Sequence, residues 1–384
     1  MRRYRSGRKI HAKKILSRLA LFTALCFSVF VIGHSLPFVS QIASHAAIIS
    51  AGINMPEGGV KLLDAELEQS QDEDQVTDMP APQEVPTQTQ EASESSNNQP
   101  EQIDTGITQE EIDSYNQNDG PIVRKTYTPG TTDDYINISG NAYVRNMTNL
   151  PNETVVQAIH TPPAFTLDKG SEPQVLIMHT HTTETYELAA RDFYDNRYNA
   201  RSRDQSRNVV RVGDEIAKKL EEAGIGVIHD KTEHDYPSYN GAYDRSRTTV
   251  QNILAQNPSI KVVLDIHRDA ISDDSGVHYA PVANINGKNA AQVMIISGCD
   301  DGTMNYPNYL QNLSFASLLQ QNLENDHPGL TRPVSFKYKF YNQDLTTGSL
   351  LLEVGAFANS LEEAIYAGQL IGESLVHTLQ QITQ

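Results

Sequence analysis

Cysteine is almost missing from this chain of 384 residues, where only Cys26 and Cys299 occur. Cys26 falls in an apolar N-terminal run, so Cys299 is alone in the remainder. No disulfide can form there, and a metal held by several cysteines is excluded. A lone Cys after a strand-like run such as QVMIISG reads as a packed residue rather than a nucleophile. Acids are missing from the first 18 residues, which carry Arg2, Arg3, Arg5, Arg8, Lys9, Lys13, Lys14 and Arg18. Basic residues are nearly missing from residues 61–120, where 16 Asp and Glu accompany a single Lys61.

Each shortage sets an expectation. Residues 19–39 are apolar, broken late by His34 and Pro37, and are about long enough to span a bilayer. With a basic flank before and an acidic chain after, they read as a single-pass anchor. The N-terminus (1–18) then lies in the cytoplasm and the bulk outside. A signal peptide cleaved near 45–51, in SQIASHAAIISAG, is the alternative. Residues 40–119, rich in Gln, Ser, Thr, Pro and acids, cannot bury enough apolar surface to fold and read as a disordered, extended tether. The net charge is -18. Setting aside the basic tail and the acidic stretch leaves -11, which argues against nucleic acid as a partner.

Three apolar runs each end in polar residues that can do chemistry. VLIM (175–178) leads into His179, His181 and Glu184. KVVLDIHRDA (261–270) ends in Asp265, His267 and Asp269. GSLLLEVGAFANSLEEA (348–364) carries Glu353. A short apolar run of this kind reads as a buried strand. If the strands are parallel and adjacent, their carboxyl ends bring all three sets to one sheet edge, where α/β enzymes place their sites. Two histidines with carboxylates suit a catalytic Zn²⁺ with an open position for water. A lone Glu353 in an apolar strand is costly to bury unless paired or liganding.

Around these runs strand and helix alternate. Helical spacing covers 207–224 and ends at Gly224. IGVIHD reads as a strand, and KTEHDYPSYNGAYDRSR as a polar, Tyr-rich loop. A helix is expected from Ser246 to Gln256, a hairpin over APVANING and AAQVMIISG with Asn286-Gly287 at its turn, and helices over 309–326 and 361–382. Residues 121–172 read as short strand and turn pieces packed on the domain. The fold class is therefore α/β: a single domain (120–384) with a mostly parallel central sheet flanked by helices. His229, His234 and Asp235 read as loop residues that support the site rather than as a second metal set.

The order of these parts resembles the zinc-dependent N-acetylmuramoyl-L-alanine amidases, in the strand ending Ile266-His267 and in Glu353, Gly355 and Asn359 before the last helix. HTHTTE, GIGVIHD, TEHDYPSYNGAYDRSR, DIHRDA and YNQDLTTGSLLLEVGAF, with the anchored N-terminus, resemble more specifically the stage II sporulation protein P family over residues 120–384. The resemblance implies hydrolysis of the amide joining N-acetylmuramic acid to L-alanine of peptidoglycan, with a second activity on peptide cross-links. It also implies the engulfment step of sporulation, stage II sporulation proteins D and M as partners, and a catalytic domain on the mother-cell side of the engulfing membrane. Those amidases take a zinc-binding Glu from the start of the helix after the first strand. The matching position here, Ser206-Arg207, has no carboxylate. Glu184 is the expected substitute, with Glu187 and Asp192 as alternatives. His181 is the expected first ligand and His179 the other candidate, with His267 as the further ligand and Glu353 as general base. Arg268, Tyr341, Asn342 and Gln343 flank the site as candidates for binding glycan or stem peptide. A zinc peptidase of stem peptides alone and a non-catalytic wall-binding module are the competing readings.

Overall fold

The computed structural model describes residues 103–170 and 172–384. The basic tail, the apolar segment and the acidic stretch up to residue 102 lie outside them. Among the described residues no helix is long and apolar enough to cross a membrane.

The main sheet has eight strands. From one edge these are β2 (Tyr135–Ser139), β3 (Ala142–Asn146), β11 (Val334–Tyr338), β10 (Val293–Cys299), β12 (Gly348–Ala356), β7 (Val262–Asp269), β4 (Val175–Met178) and β6 (Val227–His229). Only the β2–β3 and β10–β12 pairs run antiparallel. The three strands that carry the polar endings are adjacent and parallel, with β7 between β4 and β12. Their sequences dictate this place. All four residues of β4 are buried, as are all but the last of β7. A strand apolar on both sides belongs inside a parallel sheet with helices on both faces.

Helices cover the sheet. α3 (Val209–Glu222) begins at Asn208, whose side chain accepts from the Val210 amide, and buries Val209, Val212, Ile216 and Leu220, the stripe that helical spacing anticipates. α4 (Ala242–Gln256), α5 (Tyr309–Asp326) and α6 (Leu361–Gln381) complete the layers, with the short α2 (Asn152–Ile159) between β3 and β4. At the start of α6, the Ser360 side chain accepts from the Glu363 amide and Glu363 returns to the Ser360 amide, a capping box.

Four sequence expectations need correction. First, the hairpin is shorter than expected. β8 (His278–Ile285) and β9 (Lys288–Ala291) pair antiparallel around Asn286-Gly287, both at positive φ. The chain then leaves at Gln292, and β10 joins the main sheet. The buried Gln292 amide exchanges hydrogen bonds with both backbone groups of Tyr127, fixing that exit. Second, β1 (Gly120–Lys125) pairs parallel with β8 and antiparallel with β5 (Phe193–Tyr194), so a second, four-stranded sheet exists. Third, α4 starts at Ala242, after Gly241 at φ 76°, which moves Tyr243 from the expected loop onto a helix. Fourth, residues 103–119, read as tether, carry structure. α1 (Gln109–Ser114) opens on a Thr108–Glu111 capping box. Glu111 pairs with Arg207, and the Gln117 amide donates to Asp195 at 2.8 Å.

Candidate active site

The loop after β4 reads His-Thr-His-Thr-Thr-Glu-Thr, and its threonines fasten it. Thr180 donates through its amide and hydroxyl to Asp265 (2.8 and 2.7 Å). Thr182 donates to the Thr232 carbonyl, Thr183 to Asp235 at 2.6 Å, and Thr185 to the Arg207 carbonyl. His234 braces the same loop by donating from Nδ1 to the His179 carbonyl at 2.8 Å. These bonds fix where the histidines and Glu184 can point. The loop is buried throughout, so each of its polar groups needs a partner or a function.

His179 and His181 meet opposite fates. His179 is fully bonded: Nδ1 lies 3.0 Å from the Ile266 carbonyl and Nε2 2.8 Å from His229 Nε2. Both of its ring nitrogens are thus occupied in this structure. His181 Nδ1 is buried and has no hydrogen-bond partner. Its ring stacks flat on Tyr239, with centroids 4.3 Å apart, and lies edge-on to His267 at 5.3 Å. Burial pushes the His181 pKa down to about 3, so it is neutral, the form that ligates metal.

On β7, His267 stands between two carboxylates. Nε2 lies 2.8 Å from Asp265 Oδ1, out of line for a good hydrogen bond, and Nδ1 lies 3.6 Å from Glu184 Oε2. Burial pushes the His267 pKa down, but Asp265 and then Glu184 outweigh it and hold it well above the ordinary value. Burial pushes Glu184 up. His267 and Arg268 outweigh that in turn and hold it below the usual carboxylate range. Glu184 also accepts from the Arg268 amide at 3.2 Å, and its own carbonyl accepts from the first amide of α3 at 2.9 Å. Glu184 thus stands at the start of that helix although it belongs to the preceding loop. Glu187 pairs with Arg191 at 2.6 Å instead.

Glu353 faces His267 across the β12–β7 register. Its Oε2 is buried without a partner. Burial first, then the Asp269 and Glu184 charges, raise its pKa to about 8. Two residues on, Gly355 has φ 68°, and a Cβ there would lie 2.7 Å from Asn359 Oδ1. That oxygen accepts from the Ala356 amide at 2.8 Å. The Glu-x-Gly-x-x-x-Asn spacing is therefore the geometry of the turn that presents Glu353.

The expected substrate contacts divide. Arg268 turns its guanidinium onto the Thr185 and Ala200 carbonyls, both at 3.2 Å. Gln343 is buried and bonds the Gly298 amide and the Ile296 carbonyl. Both brace backbone. Asn342, at φ 55°, ties to the Tyr243 carbonyl. Tyr341 lies 5.5 Å from Tyr243, ring to ring. Sequence reading missed Asp265 as the partner of His267, and Tyr239 and Tyr243 as the wall of the histidine pair. The Tyr-rich composition of 236–243 is the signal that points to that wall. Cys299 is buried and its thiol is pushed up to about 12, first by burial and then by Asp300, as expected of a packed residue.

His181, Glu184 and His267 form a donor set of two imidazoles and a carboxylate, and Asp265 sits behind His267 as carboxylates do behind ligating histidines. Among the described residues no three His, Cys, Asp or Glu are gathered into a metal-holding group. The fit to a zinc ion lies in the donor chemistry and in the unpartnered buried atoms.

Fold and site together define an α/β protein with a histidine–carboxylate cluster at the carboxyl ends of three adjacent parallel strands. The family model for stage II sporulation protein P matches residues 51–375, and the chain belongs to that family. Stage II sporulation protein P of Bacillus subtilis is 34% identical over 213 residues, covering 53% of this chain and 49% of the relative. The chain thus spans about half the length of the curated relative it matches. Among solved structures, the CwlD amidase of Clostridioides difficile, in complex with the GerS lipoprotein, aligns with TM-score 0.34 and 12% identity, over 54% of this chain and 98% of that one. The N-acetylmuramoyl-L-alanine amidase AmiC2 of Nostoc punctiforme aligns with TM-score 0.34 and 11% identity, over 55% and 98%.

Proposed function

We propose that this protein is a zinc-dependent cell-wall hydrolase of sporulation that cleaves the amide between N-acetylmuramic acid and L-alanine of peptidoglycan. The observation that carries the reading is the meeting of His181, Glu184, His267 and Glu353 where β4, β7 and β12 end side by side, with a buried His181 nitrogen and a Glu353 carboxylate oxygen left without partners. His181, Glu184 and His267 would hold the ion. When bound, zinc supplies Lewis-acid polarisation of the scissile carbonyl and a more acidic water.

The chain's own groups do the rest. Glu353 sits beside that donor set on β12 and takes the proton from water as general base, then returns it to the leaving amine. Asp265 holds the His267 ring in place. Tyr239 packs flat against the His181 ring.

Family membership supports the sporulation setting. Attachment to the membrane through residues 19–39, a position on the mother-cell side of the engulfing membrane, and association with stage II sporulation proteins D and M belong to the same proposal. Co-purification from membranes tests the association. For the activity, the full chain in detergent would digest purified peptidoglycan with and without chelator, the products being identified by mass spectrometry. Free stem peptides beginning at L-alanine, lost with chelator and restored by Zn²⁺, are the expected result. Products cut only within or between stems would move the assignment to endopeptidase. Wall binding without any product would leave a binding module.

A further inference from the structure

We propose that His229 and Asp214 are positioning residues for the zinc-binding His267, acting through His179; this rests on the metal reading above. The argument begins with hydrogen bonds. A carbonyl only accepts, so the 3.0 Å contact with the Ile266 oxygen requires the proton of His179 on Nδ1. His179 is fully buried and neither of its two partners is a carboxylate, so burial disfavours a second ring proton. Its Nε2 must therefore accept, and His229 Nε2, 2.8 Å away, must donate. His229 Nδ1 faces Asp214 Oδ1 at 3.0 Å, and Lys231 Nζ reaches the same oxygen at 2.6 Å. Asp214 therefore accepts from both. The chain runs in one direction, from the partly exposed Asp214 on α3, through His229 at the end of β6 and His179 after β4, to the carbonyl that precedes His267.

Position gives this chain its purpose. The β4–β7 ladder stops at Met178 opposite Asp265, one residue before Ile266. His179 carries the bonding one step further by side chain, where the backbone of β4 has already turned away. It fixes the peptide that joins Ile266 to His267, and so fixes the base of the ligand's side chain. Gly213 supports the reading independently. A Cβ there would lie 2.6 Å from His229 Nε2 and 3.0 Å from His179 Nε2, on the hydrogen bond itself. Glycine inside a helix costs roughly 1 kcal/mol relative to alanine, and here the cost has a cause: α3 must let the two rings meet.

The test uses the full chain, stripped of metal, with zinc as the probe and a competing chromophoric chelator as the gauge. His229→Leu is expected to weaken zinc binding by about ten- to a hundredfold, the loss typical when a supporting partner of a ligand is removed. His229→Gln, whose amide can still donate to His179, should recover most of it. Asp214→Asn, a change on a partly exposed side chain, should cost severalfold and serves if the leucine variant does not fold. Independently, long-range ¹H–¹⁵N spectra of the metal-free protein should show His179 protonated on Nδ1. Equal zinc affinity in the Leu and Asn variants, or His179 protonated on Nε2, would overturn the inference while leaving the metal reading intact. Wild-type protein that binds no zinc would sink the metal reading, and this inference with it.

Discussion

Two histidine pairs stand at the ends of neighbouring strands, and they are built in opposite ways. In the pair His179–His229 every ring nitrogen has a partner. In the pair His181–His267 one nitrogen has none, and another has only a poorly aligned carboxylate. Both pairs are largely buried, and a single residue, Thr180, separates their first members. Burial and sequence neighbourhood therefore do not distinguish the two pairs; the bonding of each nitrogen does. A buried polar atom left unpaired costs about 1–3 kcal/mol. His181 Nδ1 and Glu353 Oε2 both carry that cost near the ends of β4 and β12.

The largest effect expected from breaking this contrast is Glu353→Gln. It keeps the shape, removes the base, and should lower the rate of wall hydrolysis by about 10²–10⁴-fold, with zinc affinity within a few-fold of wild type. A variant that still hydrolyses at the wild-type rate would remove Glu353 from its role. The two histidines of the first loop should then separate by readout. His181→Ala should abolish zinc binding and hydrolysis and cost less stability than His179→Ala, because Nδ1 gives up no bond and only the ring contacts with Tyr239 and His267 are lost. His179→Ala strands the Ile266 carbonyl and His229 Nε2 and should cost about 2–4 kcal/mol of stability from two lost partners and a cavity. Denaturation and zinc titration of both variants check the crossing. The contrast fails if His179→Ala proves the more harmless of the two to stability.

A smaller effect tests the electrostatics. Glu353 has an ordinary pKa of 4.5 and is held at about 8 in the folded protein, so the folded state grips its proton more tightly than the unfolded one. Its contribution to stability is then whole below pH about 4.5 and is lost as pH rises through about 8. Metal-free Glu353→Gln carries no such titration. Compared with wild type it should gain stability steadily between pH 5 and pH 8, by on the order of 1–3 kcal/mol, since the side chain is partly open to solvent. His267, also held high, lowers stability with rising pH in both proteins and largely cancels. Parallel urea curves at the two pH values are the measurement, and a constant difference between the proteins would contradict the raised carboxylate.

The comparison also shows what a sequence can and cannot disclose. The apolar runs before His179, Asp265 and Glu353 disclose the three strands because burial on both faces is a local property; that they are parallel neighbours is seen in the fold. Gly355 and Asn359 disclose a turn because positive φ favours glycine. The different bonding of His179 and His181 is not local. It depends on His229 and Ile266, each reached only through the fold. The same holds for Arg268 and Gln343. Their positions beside the site suggest substrate contacts, but their donors close on carbonyls from other segments. The second sheet is illegible for the same reason, since β1 has no local sign that its partner is β8. The start of α4 is missed because the polar Tyr-rich run looks like loop, although Gly241 supplies the left-handed residue from which the helix begins.

The smallest expected effect concerns the arm, residues 103–119. Its contacts converge on the segment that supports Glu184 and Arg268. Glu111 holds Arg207, whose carbonyl takes the Thr185 hydroxyl. Ser114 and Tyr115 carbonyls take Arg197 and Arg191, and Asp119 takes the Asn196 amide at 2.8 Å. The Tyr115 and Tyr198 rings meet edge to face at 5.2 Å. Most of these groups are partly exposed, where a pair contributes about 0.2–1 kcal/mol, so the arm as a whole should add only about 1–3 kcal/mol. A chain that starts at residue 120 should therefore melt roughly 3–10 °C below one that starts at residue 103, with zinc affinity reduced less than fivefold because the ligands themselves are untouched. Matched melting curves of the two chains, with zinc titrations, decide it. Equal melting temperatures would make the arm a passive end of the tether. A tenfold or greater loss of zinc affinity would instead make it part of the site, through the short chain of bonds from Glu111 by way of Arg207 and Thr185 to the loop that carries Glu184.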